Sequence, residues 1–177
     1  MRGDQRGVAA VEFAIIGTVL LIATLGFCET VLIVRAQTLL SSAVANMADM
    51  VAAGSDSPLL TQLILRDYCK GAQLTMVPYA TAGLSMAVAS VTHASGSGGI
   101  AADWEYDGAC PVTAPALGSN GAPTLASSMV PSGGDSVIVI QAGYTYTPVV
   151  STIVSSITLT QTAFSRPRYG SVKCLGC

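Results

Sequence analysis

The sequence predicts an α+β fold: a long N-terminal transmembrane and amphipathic helix, a short second helix, and an antiparallel β-sheet domain. Three observations carry that expectation. Residues 8–34 read VAAVEFAIIGTVLLIATLGFCETVLIV, an apolar run long enough to cross a bilayer. Residues 35–53 continue with apolar residues at helical spacing. Beyond residue 83 the pattern changes to strand-like alternation in four separate stretches. Helices first and strands afterwards is the order of an α+β chain.

As a helix, residues 8–34 would be roughly 40 Å long at about 1.5 Å per residue, against a hydrocarbon core of about 30 Å. The uncharged centre, Phe13 to Cys28, lies between two carboxylates, Glu12 and Glu29. An ionisable group at membrane depth costs at least a few kcal/mol, so Glu12 reads as functional. Glu29, at the far end of the span, is expected to face headgroups or water.

The helix is expected to run on through RAQTLLSSAVANMADMVAA, residues 35–53. Leu39, Leu40, Ala43, Val44, Met47, Met50 and Val51 follow helical spacing, with Gln37, Ser41, Asn46 and Asp49 elsewhere. Met47 and Met50 read as core fillers, and Gly54 as a helix stop. A second helix is expected from Ser57-Pro58, where Ser57 can cap free amides and Pro58 suits the first helical position. Leu59, Leu60, Leu63, Ile64 and Cys69 give it an apolar face, and Gly71 would end it.

Leu84 to Thr92, Ala102 to Tyr106, Ser136 to Thr147 and Ile157 to Ser165 read as strands. In the third, Ile138, Ile140, Ala142, Tyr144 and Tyr146 share one face. Gly96 to Gly99 is expected to form a hairpin or loop, and residues 111–134 a Gly/Pro/Ser-rich connection. The chain thus divides into a leader (1–7), a transmembrane helix (8–34), a helix extension (35–53) and an extracytoplasmic α+β domain (54–177).

Composition narrows the function. The chain is 51% hydrophobic and 10% charged, with net charge −2; soluble domains carry roughly 25% charged residues. Its eight cations are scattered, which excludes a nucleic-acid footprint. His93 is the sole histidine, no Ser/His/Asp grouping or Gly-rich phosphate loop is visible, and no cofactor or metal is expected. This does not read as an enzyme. Asp103-Trp104-Glu105-Tyr106-Asp107-Gly108 resembles the opening of a calcium loop, but the twelfth position is Ala114 rather than a bidentate glutamate. The three acids read instead as the solvated face of a short strand.

Of the five cysteines, Cys28 lies in the span, while Cys69, Cys110, Cys174 and Cys177 lie beyond it. An even four in an exported domain favours disulfides. Pairing Cys69 with Cys110 and Cys174 with Cys177 is the favoured connectivity, with two others open. The terminal C-x-x-C has no helix after it to lower a thiol pKa, which argues against a redox motif.

The leader MRGDQRG carries Arg2 and Arg6 against Asp4, while Arg35 stands alone just past the run. The positive-inside bias places the N-terminus in the cytoplasm and the later residues outside. Conventional signal cleavage needs small residues, and Leu25-Gly26-Phe27-Cys28 offers no Ala-x-Ala pattern. Phe27 also disfavours a lipoprotein reading at Cys28. A plain signal anchor and cleavage between Gly7 and Val8 remain.

Arg6-Gly7-Val8-Ala9-Ala10-Val11-Glu12-Phe13 resembles the start of TadE-like minor pilins or pseudopilins of tight-adherence (Flp-type) pili, within the type IV pilin superfamily. That pattern is a basic leader ending in glycine, then an apolar helix with glutamate at its fifth position. The similarity continues through Gly26, Glu29 and the alanine-rich helix to Ala53. It departs at Gly17-Thr18, where a proline is frequent, and at Asn46 to Asp49, which lacks an Ala-Ala-Arg.

The resemblance implies a pilin-like fold and cleavage at Gly7/Val8 by a prepilin peptidase. It also implies retention of the helix as an inner-membrane anchor, assembly through Glu12 and Phe13, and other pilin and pseudopilin subunits as partners. An α-amine such as the one freed at Val8 ordinarily titrates at about 7.7 to 8.0, so it is mostly protonated at neutral pH. Glu12 of one subunit can then pair with the amine of its neighbour, each charge being costly alone in an apolar medium. The competing expectation from another class is a signal-anchored periplasmic binding or interaction module with no pilus role.

Overall fold

The computed structural model describes residues 6–54, 59–93, 99–130, 134–151, 154–168 and 170–177. One helix, α1, runs without interruption from Arg6 to Ala52, 47 residues and about 70 Å. Then follow β1 (Leu60–Thr61), α2 (Gln62–Thr75), β2 (Leu84–His93), β3 (Ile100–Tyr106), α3 (Gly118–Ala126), β4 (Ser136–Tyr146), β5 (Ile157–Ser165) and β6 (Cys174–Leu175). β2 to β5 form one antiparallel sheet in the order β3-β2-β4-β5, and β1 pairs with β6 in parallel.

The main core lies between the C-terminal half of α1, α2 and one sheet face. Ala36, Leu40, Ala43, Val44, Met47, Ala48 and Val51 of α1 are buried there with Leu65, Cys69 and Ala72 of α2. From the sheet come Leu84, Met86 and Val88 of β2 and Ile138, Ile140, Ala142, Tyr144 and Tyr146 of β4. The β4 set sits at every second position, as strand alternation requires.

Polar residues of α1 are used as well. Gln37 donates to Gln161 Oε1 at 3.0 Å, Gln161 donates to Ser41 Oγ at 3.4 Å, and Ser165 donates to Asp49 at 2.9 Å. A polar edge of the helix is therefore matched to β5 residue by residue.

Several expectations need correction. α2 starts at Gln62, where the Thr61 hydroxyl accepts from the Ile64 N–H at 3.4 Å. Ser57 and Pro58 lie outside the described residues. Leu60, expected on the helix face, pairs instead with Cys174. Leu63 is exposed, and α2 passes through Gly71 to Thr75. Gly54 follows the end of α1, but positive φ occurs only at Gly134, Gly170 and Gly176 among the described residues. Its N–H instead closes a turn on the Val51 carbonyl at 3.1 Å. Gly96 is outside the described residues.

The connection expected over residues 111–134 contains α3. Ala122, Ala126 and Val130 pack there on Ala89, Val91, Val137 and Val139, forming a second, smaller core on the opposite sheet face. Burial of that face, rather than helix propensity, holds a segment that includes Pro123.

Candidate functional site

The N-terminal part of α1 projects free of the domain. From Gly7 to Cys28 its side chains are exposed or nearly so, among them Val8, Val11, Phe13, Ile16, Leu20 and Phe27. Phe13 is 78% exposed. In water such a surface is unstable, since each buried large aliphatic side chain is worth about 1.5–3 kcal/mol. The helix satisfies the length and composition of a membrane span, and none of the window that qualifies it is buried in the fold.

Its polar side chains turn inward. Thr18, Thr24 and Thr30 donate their hydroxyls to the carbonyls of Ala14, Leu20 and Gly26, each at 2.8 Å. That internal satisfaction is what an apolar solvent demands of a hydroxyl.

Gly7, Val8, Glu12 and Phe13 all lie on the first turns of this free segment. Val8 and Glu12 are one helical turn apart and share a face, and both are exposed. If the chain began at Val8, Glu12 would stand near the positive end of the helix dipole, where a carboxylate is favoured.

Glu29 does not face headgroups or water. It is buried at 4% exposure beneath the end of the sheet. Tyr146 of β4 donates its hydroxyl to Glu29 Oε1 at 2.7 Å, and the Val149 N–H donates to the same oxygen at 3.3 Å. Tyr79 packs edge-on against Tyr146, with ring centroids 6.0 Å apart, and donates to the Leu32 carbonyl at 2.9 Å. Burial pushes the Tyr146 hydroxyl well above its ordinary pKa, and the Glu29 hydrogen bond and charge push it further in the same direction. Tyr144 is raised too, chiefly by burial. This polar collar fixes where the helix leaves the domain. Sequence reasoning missed it because the partners of Glu29 lie more than a hundred residues away and Tyr79 lies 47 residues from Leu32.

The structure brings Cys69 to Cys110 and Cys174 to Cys177 as disulfides, and leaves Cys28 free and exposed on the projecting helix. The first bond joins α2 to the segment after β3, and the second closes the C-terminal turn beside β1.

The acidic run has structural tasks. Asp103 accepts from the Thr92 hydroxyl at 3.0 Å, and Glu105 accepts from the Leu117 N–H at the entrance to α3. Among the described residues, no group of three or more His, Cys, Asp or Glu side chains is placed to hold a metal ion. His93 sits at the end of β2, its backbone paired with Asp135 and Gly134.

No curated protein and no solved structure matches the chain. A protein-family model does, over residues 7–49 of the 177. That interval begins at Gly7 and ends at Asp49, whose carboxylate accepts from Ser165 of β5. Over that interval the projecting helix and the polar edge that seats the domain are together similar to a TadE-like protein.

Proposed function

We propose that this chain is a membrane-anchored minor pilin or pseudopilin that supports assembly of a tight-adherence (Flp-type) pilus. A prepilin peptidase cuts between Gly7 and Val8 on the cytoplasmic side of the bacterial inner membrane. The helix stays in the membrane, and the disulfide-bonded α+β domain lies on the periplasmic side. Other pilin and pseudopilin subunits are the partners, nucleic acid is not, and the chain catalyses no reaction.

One observation carries the reading. A free, apolar helix within the TadE-like segment presents Glu12 one turn after Val8, with Gly7 preceding it and a folded domain closing the far end. A plain anchor gives that carboxylate no task. A neighbouring subunit's new α-amine gives it one, because two opposite charges in an apolar medium cost less together than apart.

The mass of the mature protein from membranes containing the peptidase tests this. Loss of the seven leader residues is the expected result. An N-terminus still at Met1 would overturn the processing claim and favour a signal-anchored periplasmic interaction module.

A further inference from the structure

The end of the domain nearest the free helix carries large apolar side chains that nothing in the fold uses. Val149 is 77% exposed and Val77 62% exposed. They lie on two loops, one after β4 and one after α2. Each loop is pinned to the point where α1 emerges. The Val149 N–H reaches Glu29, and Tyr79, two residues after Val77, reaches the Leu32 carbonyl. Leu74, also exposed, is hydrogen-bonded through its carbonyl to the Val77 N–H.

The segments that carry both loops are uncharged. Residues 71–92 and 136–165 contain no Asp, Glu, Lys or Arg at all. The domain's charged residues, such as Arg66, Lys70, Asp103, Glu105 and Lys173, belong to other segments. Among the described residues Glu29 is the carboxylate that bonds into the collar, and it is buried.

Helix length points to the same place independently. Val8 to Cys28 spans about 31 Å at about 1.5 Å per residue, and the hydrocarbon core is about 30 Å. With Val8 at one boundary, the other falls at Glu29, where one loop is tied to the helix and within one turn of Leu32, where the other is tied.

We propose that Val77 and Val149, with the described residues next to them in their loops, form a lipid-docking face, seating the domain directly on the outer surface of the membrane its helix crosses. The inference rests on the anchor reading above. Exposed apolar side chains beside a membrane-crossing helix, on segments without charged residues, are matched by the headgroup–acyl boundary of a bilayer. Arg35, exposed about one and two-thirds turns beyond Glu29, stands within reach of lipid phosphates.

Tryptophan depth measurement on the full chain in phosphatidylcholine vesicles tests it. The protein has one tryptophan, Trp104, paired opposite Ser90 toward the other end of the sheet. The unsubstituted chain therefore supplies the baseline. Val149→Trp and Val77→Trp should each add blue-shifted emission, quenched more by bromines near the headgroup than by bromines near the acyl-chain ends. Leu63→Trp, exposed beside the distal β1–β6 pair, should stay unquenched. Phe27→Trp, just inside the boundary at Glu29, reports on the anchor itself and should also be quenched.

Quenched Phe27→Trp with unquenched Val149→Trp and Val77→Trp overturns the docking face while the anchor reading stands. Unquenched Phe27→Trp overturns both. If the two collar positions resist quenching but cross-link between molecules as protein density rises, a second copy covers this face and the lipid assignment is wrong.

Discussion

The Tyr146 hydroxyl donates to Glu29 Oε1 across 2.7 Å, linking the last residue of β4 to a helix residue 117 positions earlier. Both groups are buried, so neither has water as a substitute. Tyr146→Phe removes the donor and leaves the carboxylate with the Val149 N–H alone. The expected cost is about 1.5–3 kcal/mol of domain stability, the range for a lost hydrogen bond to a charged group. Glu29→Gln, which keeps an acceptor and the shape, should cost less. Urea denaturation of the full chain in detergent, followed by Trp104 fluorescence, checks the order.

Alkaline pH should weaken the same contact. The folded pKa of Tyr146 lies above its unfolded value of 10.0, so the folded state holds the phenolic proton more tightly. The resulting stability is fully present below about pH 10. It is lost progressively as pH rises from there through the folded pKa. Tyr146→Phe should flatten that decline while leaving the part due to Tyr144. Denaturation midpoints measured on either side of pH 10 for the two proteins check this, and identical slopes would rule out Tyr146 as the titrating group.

The two disulfides should contribute unequally. Cys69–Cys110 closes a separation of 41 residues and Cys174–Cys177 a separation of 3. Loop entropy assigns about 4 kcal/mol to the first and about 1.6 kcal/mol to the second. Replacing Cys69 and Cys110 together with alanine should therefore destabilise the domain more than the same change at Cys174 and Cys177. Equal losses in parallel denaturation curves would refute the ranking.

Glu12 separates fold from assembly. It is exposed on a helix segment that the domain does not touch, so Glu12→Ala should change domain stability by no more than about 0.5 kcal/mol. On the pilin reading the same substitution should sharply reduce pili recovered by shearing, with Glu12→Asp intermediate. Normal pilus yield from Glu12→Ala cells would remove the charge-pairing step.

Strand periodicity made much of the sheet legible. Ile157–Ser165 has the expected limits, and β4 ends one residue short of the expected Thr147. Alternating residues from Ile138 to Tyr146 do face the main core. The α3 segment was hidden because glycine, serine and proline are poor helix formers. A signal for it did exist: Val137 and Val139 make Ser136 to Ile140 apolar on both faces, and a strand of that kind needs a cover on each side. The start of α2 was misplaced because Ser57-Pro58 carries stronger local capping chemistry than Thr61. The β1–β6 pairing that sets the true start depends on Cys174 and Leu175, far along the chain. Glu29 was misread for a related reason. Local hydropathy shows only an acid at the edge of an apolar run, and nothing nearby announces a tyrosine arriving from β4.

α1 is continuous from Arg6 to Ala52, with the collar at Glu29 and the polar contacts with β5 fastening the sheet to its second half. Mechanically it is a shaft with no coupling joint. A pull, a push or a twist applied to the free apolar end would reach the domain without a hinge to absorb it, so on the pilus-assembly reading lifting the shaft lifts the cargo.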